Sequence, residues 1–367
     1  MTTSPPVVLF VPVSGPGGSG EYYRCLAIAR ALHDRRPETT IHFLINRHAR
    51  LERDGRFHYH ELDDSPTKDR QGALSAIRAL APSMVFFDSA GRMMHFRAAR
   101  ELGARVVWLS DRPNKRRKAF RWRMLPLLDL HLMAAPGEAE PRLGLVHRFK
   151  RRCFSGLRTV FYSGIAPPAD HQRQQALCER LALPASDYLV FAPGGGGYEK
   201  GGRAVPEIML DAAAQVVEAT GLVCVMVMGP QYQGTVHEHP TVTVVDSLPT
   251  EDLSQLLHGA RLAVIGAGSM MTAQTLSLGV PAVMVPAGGD DQPPRIRDFA
   301  RRELASAAEM SANDIARVAS ELATDRERRR QQQDAVRAAG IRNDVGMVAA
   351  ELEVLLKTER DHEMDTR

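Results

Sequence analysis

Cysteine is scarce in this chain. Cys25, Cys153, Cys178 and Cys224 lie far apart, with no CxxC pair and no His/Cys cluster at zinc-ligand spacing. That argues against a disulfide scaffold and against a zinc site, and it fits reduced, buried thiols in a cytoplasmic protein. Long apolar runs are also missing. The run from Val7 to Val13 falls far short of the roughly 20 residues a membrane span needs, and no basic segment precedes it as in a signal peptide. The expected location is therefore the cytoplasm, either in solution or peripheral to a membrane. Acids are missing from one stretch: Arg112 to Arg123 carries seven basic residues and no Asp or Glu. A second basic stretch, 148–158, follows. Nothing matches an RNA- or DNA-binding module, so a local basic patch of this kind points to a phosphate-bearing partner or an anionic membrane surface rather than to nucleic acid.

What is present suits two α/β domains. A chain of 367 residues, 44% of them apolar, is too long for one ordinary core and fits two of roughly 150 to 200 residues. The run 7–13 is continuously apolar, as a strand buried on both faces should be, and 41–46, 57–62, 84–88, 105–111, 130–134 and 159–164 read as further strands. Helical spacing separates several of them, first in the segment from Gly20 through Leu32. The adjacent prolines of GIAPPAD (164–170) cannot join a helix or a central strand and mark a linker. The pattern then restarts, with strands at 188–194, 223–229, 241–246, 262–268 and 281–286 and closing helices near 311–325 and 343–357. Strands alternating with helices predict parallel, doubly wound sheets with ligands at the strands' carboxyl ends. The expected domains are 1–165 and 166–345, followed by a terminal helix and tail over 346–367.

Three glycine-rich segments follow strands. GPGGSGEYYRC (15–25) opens a helix, where unpaired N–H groups could meet an anion; a tight strand-to-helix turn is the alternative. It gives no clean GxGxxG, and no acid ends the next strand, which argues against a dinucleotide dehydrogenase. PGGGGYEKGG (193–202) holds four consecutive glycines, a costly choice for a purely structural turn, and suggests a phosphate cradle. It is not a Walker loop, because Lys200 is not followed by Ser or Thr. In IGAGSMMTAQTLSLGVPAVMVPAGGDDQ (265–292), Gly268 and Ser269 start a helix and Gln274 lies one to two turns in. Asp291 and Gln292 lie beyond the next strand, where the acids read either as sugar ligands or as an N-cap with first-turn acids.

The order of GSGEYYRCLAIARAL, FAPGGGG and the block from Asp246 to Gln292 resembles the GT-B nucleotide-sugar enzymes over most of the chain. Two groups are similar in pattern. One is the family-28 type N-acetylglucosaminyltransferases of peptidoglycan synthesis. The other is the UDP-sugar hydrolase of the pseudaminic acid pathway, whose first loop reads GxGHxxRC where this chain has GSGEYYRC, Gly18 to Cys25. The resemblance implies two Rossmann-like domains facing a central cleft and a UDP-sugar donor held by the second. Gly18 and Gly20 belong to its first loop. Gly194, Gly195, Gly196 and Gly197 would line the diphosphate, and the backbone near Leu248 would frame the uracil. Gly268, Ser269 and Gln274 would hold ribose and phosphate, and Asp291 and Gln292 the sugar. No cofactor and no metal is implied. Two departures stand out: Glu21 occupies the position of the usual His, and Gln274 that of a usual Glu.

These readings combine into an inverting, metal-independent glycosyltransferase. Glu21, with Asp88 in reserve at a strand end, would deprotonate an acceptor hydroxyl. The acceptor is unnamed, with a phosphorylated or lipid-linked compound suggested by Arg112–Arg123, a stretch that interleaves Phe120 and Trp122 with its cations. The alternatives are a hydrolase using water as acceptor, which the Arg24–Cys25 pair favours, and a catalytically silent nucleotide-sugar binder, which the loss of the His favours.

Overall fold

The computed structural model describes residues 5–13, 15, 20–49, 51–136, 141–154 and 156–357. Gly18 lies outside the described residues. The chain forms two compact units. One comprises the chain up to Ser163 together with the segment from Asp344 onward, and the other is Gly164–Asn343.

The first unit is built on a seven-stranded sheet in the order β3 (His58–Leu62), β2 (Thr40–Asn46), β1 (Val7–Pro12), β4 (Met84–Asp88), β5 (Arg105–Ser110), β6 (Leu130–Ala134) and β7 (Arg158–Tyr162). Every pairing is parallel. β4 is buried along its whole length and β1 along all but its first residue, as strands covered on both faces must be. Helices make five of the six crossovers, α1 (Gly20–Arg35), α2 (Arg70–Leu80), α3 (Met93–Glu101), α4 (Pro113–Ala119) and α5 (Leu145–Arg152), while β2 passes to β3 with no helix among the described residues. The Asp69 carboxylate accepts from the Gly72 N–H and so sets where α2 begins.

The second unit has six strands in the order β12 (Thr243–Val245), β11 (Cys224–Val227), β8 (Tyr188–Ala192), β13 (Ala260–Gly266), β14 (Ala282–Val285) and β15 (Ser306–Ala307), again all parallel. A small antiparallel hairpin, β9 (Glu199–Lys200) with β10 (Arg203–Ala204), stands apart from it. The helices of this unit are α6 (His171–Arg180), α7 (Val205–Thr220), α8 (Thr250–His258), α9 (Ser269–Ser277), α10 (Gln292–Arg301), α11 (Ala312–Thr324) and α12 (Arg326–Ala338). Two apolar clusters, one on each face of the sheet, form its core. Gln255 of α8 fixes the proline segment. Its Oε1 accepts from the Asp170 N–H and its Nε2 donates to the Pro168 carbonyl.

The last helix, α13 (Val345–Lys357), packs against α1 and so belongs to the first unit rather than standing apart. Arg35 and Arg158 form ion pairs with its Glu353 and Glu351. Among the described residues no helix is long and apolar enough to cross a membrane. The four cysteines are unbridged, but Cys153 is exposed rather than buried as expected.

Candidate functional site

In each sheet the strand order reverses direction beside the unit's first strand, between β1 and β4 and between β8 and β13. Loops leaving the carboxyl ends of the strands on either side of such a reversal frame a crevice, the usual ligand position in doubly wound sheets.

In the second unit the loops after β11, β8 and β13 pack backbone to backbone. Gly194 and Gly196 have φ of +94° and +81°, and a Cβ on Gly196 would collide with the Met228 carbonyl oxygen. Gly229 lies so close to the Gly194 and Gly195 carbonyls that no side chain fits there, and Gly266 is pressed in the same way against Pro193. The four-glycine run is thus structurally demanded at Gly196. Gly195 and Gly197 differ: each lies beside the flexible side chain of Gln231, with a Gly195 Cβ 3.1 Å from its Oε1, and the Gln231 N–H donates to the Gly195 carbonyl at 2.8 Å. The next loop joins in, because the Tyr198 ring lies over Gly288 after β14.

Gly268 is the N-cap of α9, and no side chain caps that helix. Open space surrounds the position a Gly268 Cβ would take. The first N–H groups and the positive end of the helix dipole are therefore available to an anion, beside the partly exposed Ser269. Arg295 of α10, which the sequence did not flag, donates to the Ala267 carbonyl and pairs with Asp291. It adds a cation beside the α9 start. Asp291 occupies the N-cap position of α10 but makes no capping bond, and its carboxylate is turned to Arg295. Gln274 is buried in α9 and its Nε2 has no partner; buried Gln292 has an unpartnered Oε1. A buried amide left unpaired costs about 1–3 kcal/mol, so these two atoms mark places where a polar ligand would restore a bond. Leu248 follows β12, two strands from the reversal, and packs half-buried against the core. Gly194–Gly197, Gly268, Ser269, Gln274, Asp291 and Gln292 therefore all belong to one carboxyl edge, with Leu248 on its flank.

The first unit carries a buried charge cluster at its own reversal. Gly20 and Glu21 open α1. One turn on, Arg24 is bonded to both oxygens of Asp88 at 2.7 Å and lies 3.9 Å from Asp111. The Ser89 hydroxyl donates to Asp111, and Ser89 itself holds a left-handed φ of 54° at the end of β4. Cys25 packs beside Asp88, and the buried Tyr162 hydroxyl in the same electrostatic neighbourhood has no partner. Burial pushes the Asp88 carboxyl up to about 7, with Arg24 opposing that rise. Glu21 is near enough to contribute to it. This geometry corrects the reserve role given to Asp88. A completely buried carboxylate with both oxygens held by Arg24 has no access to an acceptor hydroxyl and instead anchors Arg24. Opening such a pair by removing one partner costs roughly 3–5 kcal/mol. Sequence reasoning used Arg24 only as half of the Arg24–Cys25 pair and could not see its bond to Asp88, which lies 64 positions away.

The basic stretch divides. Phe120, Met124 and Leu125 enter the first unit's core, while Trp122 is exposed. Arg116 donates to the Ala134 carbonyl and lies over Phe161, and Lys115 and Lys118 donate to the Ser89 and Gly91 carbonyls, so these three cations serve the fold. Among the described residues no group of three or more His, Cys, Asp or Glu is arranged to hold a metal ion.

No family model and no curated protein matches the chain by sequence. Solved structures do match in shape. The spinosyn forosaminyltransferase SpnP is similar at 15% identity and a TM-score of 0.64, over 95% of this chain and 99% of that one. A ugt transferase from Siraitia grosvenorii in complex with UDP is similar at 14% identity and 0.61, over 96% and 99%. A Listeria monocytogenes protein described as a UDP-N-acetylglucosamine 2-epimerase is similar at 11% identity and 0.58, over 98% of each chain. At such identities the likeness establishes the fold alone: two parallel, doubly wound α/β units of the GT-B kind.

Proposed function

We propose that the chain is a glycosyltransferase that takes its sugar from a UDP-sugar held at the carboxyl edge of the second unit. The observation that carries this reading is the uncapped start of α9 beside the glycine loop after β8, with two buried amides, Gln274 and Gln292, left unpaired within the same edge. An uncapped helix start stabilises the charge that develops on a departing diphosphate. Arg295, its charge balanced by Asp291, places guanidinium N–H donors there. The Siraitia neighbour is in complex with UDP, which supports the uridine nucleotide. The family-28 and pseudaminic-pathway resemblance in the sequence supports an inverting reaction without a metal. On the first unit Glu21 is the proposed base, removing the proton from the acceptor hydroxyl as it attacks the anomeric carbon and UDP leaves. The proposed domain roles follow, with acceptor handling on the first unit and donor binding on the second.

A thermal-shift panel tests the donor assignment, because a ligand that binds only the folded state raises the melting temperature. UDP is expected to give a larger shift than ADP, GDP or TDP, and a larger shift from any of those overturns the uridine assignment. The Arg24–Cys25 pair, shared in pattern with the pseudaminic-pathway hydrolase, favours keeping a second reading, in which the same donor site serves hydrolysis. Product analysis separates the two: a transferase releases UDP slowly until an acceptor is added, and a hydrolase releases UDP and free sugar at once.

A further inference from the structure

α12 has no apolar stripe, but it carries a polar one. Arg326, Arg329, Arg330 and Gln333 recur at the spacing of a single helix face. All four line a cavity of about 760 Å³. Asp187 just before β8, Arg261 at the start of β13 and Pro281 just before β14 line it too, so the cavity lies at the amino edge of the second unit's sheet. Two amides hold the helix there. Gln332 Oε1 accepts from the Ala282 N–H at 2.6 Å, and Gln333 Nε2 donates to the Gly279 carbonyl at 2.9 Å. β13 runs from this cavity to Gly266 at the carboxyl edge, a span of about 20 Å for seven residues. The cavity is therefore separate from the glycine loops and the α9 start.

Four arginines line the cavity against one acid. Both oxygens of that acid, Asp187, are already held by Arg261. Arg261 and Arg329 also donate to one carbonyl oxygen, that of Ala323, at 3.1 and 2.5 Å, so two like charges converge there. The C-terminus of α11 accounts for these two, since its last carbonyls attract cations. It does not account for Arg326, which has no hydrogen bond or ion pair among the described residues. Nor does it account for Arg330, whose ion pair with Asp334 is 3.9 Å long. Burial and the adjoining Arg261 charge pull the Arg329 pKa below its ordinary value and outweigh Asp187 and Asp325. Guanidinium groups short of acids favour a ligand with several oxygens and more than one negative charge, and their paired N–H donors match phosphate oxygens two at a time. Leu278 and Val280 add an apolar wall. We propose that this cavity binds a small phosphate-bearing molecule through Arg326, Arg329 and Arg330. The inference does not depend on the donor assignment, since it concerns the opposite end of the strands.

Titration calorimetry of the full chain with inorganic pyrophosphate tests it, with malonate at matched ionic strength as the carboxylate comparison. Pyrophosphate is expected to bind more tightly than malonate and to raise the melting temperature. Arg326→Gln and Arg330→Gln should each weaken pyrophosphate binding, and together by at least about tenfold. Both side chains are exposed and neither has a close partner to lose, so the ligand-free melting temperature should hold. Arg78→Gln with Arg97→Gln removes the same charge from exposed positions of the first unit and should leave pyrophosphate binding intact. Four outcomes would each overturn the proposal: no pyrophosphate binding, malonate binding of equal strength, binding that survives the loss of Arg326 and Arg330, or an equal loss in the Arg78 and Arg97 variant.

Discussion

Replacing Gln274 with Met separates stability from ligand binding at one atom. The two side chains have similar volume, so the α9 packing is kept while the unpaired amide is removed. In the ligand-free protein the buried Nε2 leaves a donor unsatisfied, at a cost of about 1–3 kcal/mol. Its removal should stabilise the second unit by that amount. For a unit of this size the melting temperature moves roughly 2–4 °C per kcal/mol, which gives an upward shift on the order of 2–12 °C. The same change removes a hydrogen bond that the proposed nucleotide would make, worth about 0.5–1.5 kcal/mol. UDP affinity should therefore fall roughly two- to tenfold. Scanning calorimetry without ligand and titration calorimetry with UDP measure the two effects. A variant that melts lower than the parent, or that binds UDP as tightly, refutes the idea that this amide is held open for a ligand.

Glu21→Gln keeps the shape of the α1 start and removes its basicity; turnover should fall by roughly 10²- to 10⁴-fold with UDP binding unchanged, and near-normal turnover would end the base assignment. Gly195→Val should cut UDP affinity more than tenfold, an order-of-magnitude expectation from blocking close approach to the backbone N–H groups, with the fold kept as the Gln231 side chain gives way. Gly196→Ala should instead destabilise the unit, because a left-handed residue is forced to carry a Cβ against the Met228 carbonyl; circular dichroism melts distinguish the two variants. His131 is buried and its pKa is pushed down to about 3, chiefly by burial. Its neutral form contributes fully above its ordinary value of about 6.5 and loses that contribution as pH falls toward 3. His131→Gln should therefore flatten the acid limb of the stability curve, and an unchanged limb would place acid sensitivity elsewhere.

Most of the architecture was legible because parallel strands buried on both faces must be continuous apolar runs, as 84–88 and 188–192 are. α12 was not legible. Its sequence, RERRRQQQDAVRA, buries only Gln332 and Val336, so no apolar stripe announces it. The β9–β10 hairpin and β15 were missed for want of length, each strand having two residues. At the second unit's edge the glycine loop, the α9 start and Gln274 could be read from order along the chain. Arg295 could not, since its partner Ala267 lies 28 positions away, and neither could the Arg24–Asp88 pair. The terminal helix was visible in sequence, but its attachment to α1 rests on contacts more than 300 positions apart.

That attachment makes the second unit an insert. Both of its ends meet at one place, where Gly164 bridges to Asn343 and the Asn343 side chain bonds Ala166 in both directions. Residues 164–343 can therefore be cut out as one continuous piece with adjoining ends, and should fold and bind nucleotide when expressed alone. The first unit has no such reading frame. Stopping the gene after Ser163 removes α13, with its buried Val348, Ala349 and Leu352, and uncovers the α1 surface that it packs against. To be made separately, the first unit must be spliced, its front part joined to the segment beginning at Asp344, with a short linker standing in for residues 164–343.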